Sequence, residues 1–114
     1  MASTLGNFTS ETQLGTSSTS LVSTTSSEVK FIGKATFTNT SASAVEVIVW
    51  RVLTTTTPAA GSGGNWLDKK TIQPNKVWEC DKLEQHSVGN NMSIFATAGA
   101  ASVINADLSG VTES

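Results

Sequence analysis

The stretch VEVIVWRVL, Val45 to Leu53, constrains the fold more than any other part of the chain. β-Branched residues crowd it, and they are stiff at χ1 and suit a pleated surface better than a helix. Val45, Val47, Val49 and Leu53 fall on one side of an extended chain. Ile48, Trp50 and Val52 fall on the other, and only Glu46 and Arg51 interrupt the pattern. A strand that is apolar on both faces belongs in the middle of a sheet with both faces covered, or has an outer face that meets a partner.

The flanking segments repeat the strand signal at shorter range. From Val29 to Thr38 residues alternate, with Val29, Phe31, Gly33, Ala35 and Phe37 on one face and Lys30, Ile32, Lys34, Thr36 and Thr38 on the other. Asn39-Thr40-Ser41-Ala42-Ser43 reads as a turn. Thr54 to Gly64 reads as a long loop, Asn65 to Ile72 as a strand, and Gln73-Pro74-Asn75-Lys76 as a turn with proline well placed. Strands are expected at Val77 to Leu83, Met92 to Ala98 and Ser102 to Val111, with turn signals at Gly89-Asn90 and Gly99-Ala100-Ala101. No amphipathic helix is evident. Short strands at intervals of roughly ten residues indicate a sandwich or barrel. The expected fold is all-β, a single antiparallel β-sandwich of jelly-roll-like form.

Residues 1–28 read differently. They are polar and low in complexity, and Leu5, Phe8, Leu14, Leu21 and Val22 stand apart at spacings that sustain neither period. Thr19 to Thr25 is a candidate edge strand. The expected organisation is an extended or flexible N-terminal arm, 1–28, ahead of a sandwich domain, 29–114. Such an arm would order on a neighbour through apolar anchors such as Phe8, Leu14 and Leu21, and be separable from the sandwich.

Composition bounds the function. The chain has 114 residues, enough for one domain with one modest core. Only 14% of residues are charged and the net charge is -2, so no basic footprint for nucleic acid is present. Ser and Thr are the extreme, with 16 and 17 copies. A surface rich in hydroxyls and poor in charge suits lying against something else. Met1-Ala2-Ser3-Thr4 lacks the features of a signal peptide, and no apolar run is long enough to span a membrane as a helix. The sequons at Asn7, Asn39 and Asn91 are then expected to be incidental.

Candidate chemistry is thin. Cys80 is the single cysteine and His86 the single histidine, so neither an internal disulfide nor a zinc site is expected. A Cys80–Asp81–His86 arrangement would need thiolate and imidazole within reach and a lowered thiol pKa; a small core residue is the simpler role for Cys80. Gly61-Ser62-Gly63-Gly64 lacks the Lys-Ser/Thr ending of a phosphate loop, and Asp68, Glu79, Asp81 and Glu84 read as solvated. No catalytic residue, cofactor or metal is expected. Trp50, Trp66 and Trp78 are the best recognition residues: Trp50 as core, the other two as core, subunit contact or sugar platform.

Over about residues 29 to 111 the chain resembles small phage virion proteins of β-sandwich fold. The matching pieces are Phe37-Thr38-Asn39-Thr40-Ser41 with the Val45–Leu53 strand, the Gly loop with Asn65-Trp66-Leu67, and Lys70-Thr71-Ile72-Gln73-Pro74-Asn75. Ser93-Ile94-Phe95-Ala96-Thr97-Ala98 and Leu108-Ser109-Gly110-Val111 complete them. Such families usually carry an acidic Gly-Asp turn before the penultimate strand, where this chain has Gly89-Asn90. The resemblance implies a non-enzymatic virion component, a homotrimer bound to the major capsid protein as a decoration (cement) protein. It would sit on the capsid exterior after assembly in the host cytoplasm, with neither nucleic acid nor membrane as partner. A tail or fibre component is the related alternative, and a carbohydrate-binding module using Trp66 and Trp78 is the alternative of another class.

Overall fold

A computed structural model describes residues 3–53, 66–84 and 86–113. The expected Thr54–Gly64 loop, with its glycine run, lies outside the described residues. Nine strands form: β1 (Ser3–Gln13), β2 (Thr19–Ser23), β3 (Val29–Asn39), β4 (Val45–Leu53), β5 (Trp66–Ile72), β6 (Val77–Glu79), β7 (His86–Val88), β8 (Met92–Ala98) and β9 (Ile104–Glu113). No helix occurs among the described residues. One sheet, here sheet A, runs β1-β9-β3-β6, with β7 also pairing β3; sheet B runs β2-β8-β4-β5. All pairings are antiparallel.

This order is the jelly roll. Strands pair from the two chain ends inward (β1 with β9, β2 with β8, β3 with β6 and β7, β4 with β5) and the resulting long hairpin folds over into two sheets. The strand opposite β3 is broken in two. The chain leaves sheet A after Glu79, makes a turn at 81–84 and re-enters at His86. A single strand over Val77 to Leu83 was the expectation. Instead Cys80 and Leu83 turn fully into the core, and the backbone between them closes on itself through Leu83 N to Cys80 O at 3.0 Å.

The core lies between the sheets. Sheet A contributes Ile32, Ala35, Phe37, Ala106 and Leu108, and sheet B contributes Val47, Val49, Ile94 and Ala96. The Phe37 and Trp78 rings pack with centroids 5.4 Å apart. In β3 the expected facing fails at one place. Register against β9 shifts between Ile32 and Lys34, so Gly33 is an extra residue and the faces exchange there. Ile32 is buried and Phe31 is 40% exposed, the reverse of strict alternation through Phe37. Gly110 permits the bulge, because a Cβ there would collide with the Phe31 carbonyl oxygen.

Residues 3–28 are not a separate arm. They supply β1 to sheet A and β2 to sheet B, and Leu14, Leu21 and Val22 are buried in the common core. The strands were hidden because they are irregular. Register shifts fall between Asn7 and Thr9, Thr9 and Thr12, and Ser20 and Val22, so apolar residues miss the spacing of two. The expected boundary at residue 29 therefore falls inside the sandwich.

One buried polar residue joins the sheets at a corner. Asn39 ends β3 with no exposure. Its Nδ2 donates to the carbonyls of Ser43 at 2.8 Å and Ile72 at 2.9 Å, and its Oδ1 accepts from Ser41 N at 2.9 Å and Ser41 Oγ at 2.8 Å. Its backbone N–H donates to Lys76 O at 2.9 Å. The chain from sheet A to sheet B is thus tied to the Gln73–Lys76 turn, where Asn75 takes a φ of 57° and follows Pro74 in the pattern of a type II turn.

Two outcomes follow. Asn39→Ala leaves the Ile72 and Ser43 carbonyls without this donor and is expected to cost about 2–4 kcal/mol, read as a lower urea midpoint at unchanged slope. Deleting residues 2–28 removes an edge strand from each sheet and three core side chains, so the remainder is expected to lose cooperative thermal unfolding in calorimetry.

Candidate interaction surfaces

The two faces of sheet B are both built from apolar side chains. Register between β4 and β8 is continuous, pairing Val47 with Ala98, Val49 with Ala96, Trp50 with Phe95 and Val52 with Ser93. Val47, Val49, Ala96 and Ala98 belong to the core between the sheets. Alternation turns Ile48, Trp50, Val52, Phe95 and Thr97 the other way, onto the outer face. Yet Trp50 is fully buried, Phe95 is 9% exposed and Thr97 4%. Ile48 and Val52 are half-buried. The Trp50 indole N–H is buried and meets no hydrogen-bond acceptor among the described residues.

Hydroxyls frame this patch. Ser23 and Ser93 share a hydrogen bond at 2.9 Å and Ser20 and Ser23 one at 3.1 Å. Ser93 is buried, and Ser20 and Ser23 are exposed beside it. Lys69 and Glu46, at the β4–β5 margin, are the charged residues in the same rows. The two-sided apolarity of Val45–Leu53 therefore has a definite meaning. One row packs on sheet A, and the other builds a second apolar layer on the outside. Phe95 completes that layer and was not singled out in the sequence, because the small residues of SIFATA around it carry little signal.

The other recognition candidates are placed as follows. Leu14 and Leu21 are buried in the core of their own chain, and Phe8 is half-buried and packed against it, so their apolar surface is used within the sandwich. Trp78 is 7% exposed and packs on Phe37. Trp66 pairs with Trp50 across β4–β5; its side chain lies outside the described part, as does that of His86. On sheet A, Leu5 is 82% exposed and Phe31 40%, joined through Val111 in one cross-strand row.

Cys80 is buried, and its thiol donates to Asp68 Oδ2 at 3.7 Å. Burial, chiefly, and the nearby Asp68 carboxylate push its pKa up to about 12. The thiol stays protonated at neutral pH, the opposite of an activated nucleophile. Lys34, exposed, reaches Glu79 at 2.8 Å and Glu84 at 3.8 Å. Its pKa is raised and that of Glu79 lowered, each mainly by their mutual hydrogen bond. A shallow depression of about 450 Å³ beside them is lined by Lys70, Val77, Trp78, Glu79 and Asp81. No cluster of three His, Cys, Asp or Glu able to hold a metal occurs among the described residues.

The fold and these surfaces define an all-β jelly-roll sandwich with apolar side chains on outward faces. No protein-family model matches the chain, and comparison with curated proteins finds no match. Among solved structures, one of infectious bursal disease virus, Gt strain, is similar with a TM-score of 0.29 at 9% identity. The match covers 96% of this chain and 30% of the viral one.

The Cys80 environment sets an alkaline limit. An unfolded thiol ionises near its ordinary value of 9.0, whereas the folded one holds its proton to about 12. Its contribution is complete below pH 9.0 and is lost as pH rises toward 12. Urea midpoints measured below and above pH 9 should fall more steeply for the native chain than for Cys80→Ala.

Proposed function

We propose that this chain is a non-enzymatic phage structural protein, a capsid decoration protein that binds the outer shell and stabilises it. The outer face of sheet B carries the reading. There the half-buried Ile48 and Val52 present the accessible apolar surface over the buried Trp50 and Phe95, bordered by the exposed Ser20 and Ser23, with Glu46 and Lys69 as the charged residues in the same rows. Such a face gains by covering area and loses little by desolvation, since hydroxyls and aliphatic groups cost far less to dehydrate than ions. The jelly roll holds it rigid, so little order has to be gained on docking. Many copies on a repeated lattice hold firmly through modest individual contacts. The sequence resemblance to phage virion proteins points the same way, with the major capsid protein as partner and the capsid exterior as location. Burial of Cys80 argues against its use as a nucleophile.

The test uses phage capsids stripped of the protein. Added native chain is expected to saturate the shells and raise their melting temperature. Val52→Asp places a charge on the half-buried outer row and is expected to weaken shell binding by at least tenfold, with the chain's own melting temperature nearly unchanged. Retention on tails and not on shells would replace this reading with the tail or fibre one. Saturable binding to a glycan, with none to either particle, would replace it with a carbohydrate-binding role.

A further inference from the structure

Sheet edges expose unpaired backbone N–H and C=O groups, and proteins normally protect them with charge, bulges, proline or brevity. Three of the four edges here are protected in that way. On sheet B, β2 is five residues long and bulged between Ser20 and Val22, and β5 carries Asp68, Lys69 and Lys70. On sheet A, the β6–β7 edge is two pieces of three residues each. β1 is the exception. Its later part carries Glu11 and register shifts between Asn7 and Thr9 and between Thr9 and Thr12, but its first part, Ser3–Asn7, has no charge, proline or bulge and pairs with β9 in unbroken register. Its outer edge pairs with nothing among the described residues.

We infer that the Ser3–Asn7 edge of β1 pairs with the same edge of a second copy of this chain. The pairing is antiparallel about a two-fold axis at Leu5, in place of the three-fold assembly that the resemblance implies. In that register Leu5 faces Leu5, Thr4 faces Gly6 and Ser3 faces Asn7, so no charged residue lies in the paired segment. The two sheets A become one continuous sheet. The row of Asn7, Ser109 and Lys34 in one copy runs on into the row of Ser3, Glu113 and Val29 in the other. Lys34 is engaged by Glu79 and lies four strands from that Glu113, so the rows bring no like charges together, and the contact rests on backbone pairing and on Leu5. Leu5, 82% exposed, stands beside a depression of about 430 Å³ lined by itself, Gly6, Asn7, Gly33, Ser109 and Gly110. Two such leucines meeting at the axis cover each other over a floor without large side chains.

The inference is independent of the shell reading. Native mass spectrometry and sedimentation at tens of micromolar should give a dimer for the native chain. Leu5→Lys and Leu5→Glu should each sediment as monomers, since like charges then face one another at the axis. Mixed in equal amounts they should re-form a dimer containing one of each. That recovery also shows that both variants are folded. A native monomer, a trimer, or a dimer that persists in Leu5→Lys would overturn the contact, and so would the absence of a mixed dimer. Shell binding by the Leu5→Lys monomer, assayed separately, bears only on the shell reading.

Discussion

The sandwich turns on the side chain of Asn39. A jelly roll sends its chain back and forth between two sheets, and each crossing leaves backbone polar groups near the core without a ladder partner. At the β3–β4 crossing a single carboxamide meets several of those needs, donating to Ser43 and Ile72 and accepting from Ser41. It needs both an acceptor and a two-proton donor on a short stem, and asparagine provides both. Lys76, held by the Asn39 backbone, brings the β5–β6 turn to the same point. The registers of β4 with β5 and of β3 with β6 both start from this corner. The hydroxyl-rich turn after it serves the same end, since Ser41 bonds to Asn39 and to Ser43 O.

What the sequence disclosed follows from where the strands are regular. Val45–Leu53 and Met92–Ala98 keep continuous register with each other, and the expected strand bounds coincide with the observed ones. Around Gly33 a bulge exchanges the faces, so Phe31 and Ile32 trade places relative to plain alternation. In β1 and β2 irregular register spreads Leu5, Phe8, Leu14, Leu21 and Val22 over spacings that match no simple period. A reading based on period two loses such strands and takes them for an arm. The break after Glu79 carries no sequence signal, because Cys80 and Leu83 are apolar and continue the pattern of a strand, although they enter the core from a turn.

The candidate surface was half legible. The outer row of β4 stood out because branched and aromatic residues are dense there. Its partner row on β8 did not, because one phenylalanine among Ser, Ala and Thr is a weak signal until Trp50 and Phe95 are seen side by side. Tryptophan alone proved a poor guide to exposure. Trp50 and Trp78 both have their rings buried, one outside the main core and one within it. Fold and function also separate here, since jelly rolls serve many roles. The proposed role rests on the character of the outer faces.

The break between β6 and β7 has a consequence for growth. A sheet with two open edges can add strands at both and run on into a fibre. Sheet A meets solvent on one side through two short pieces set apart by a turn, which offer no long row of backbone groups to extend. Any strand that joins it must come to the β1 side. The interrupted strand therefore acts as a chain terminator: a sheet with one receptive edge stops growing after a single addition.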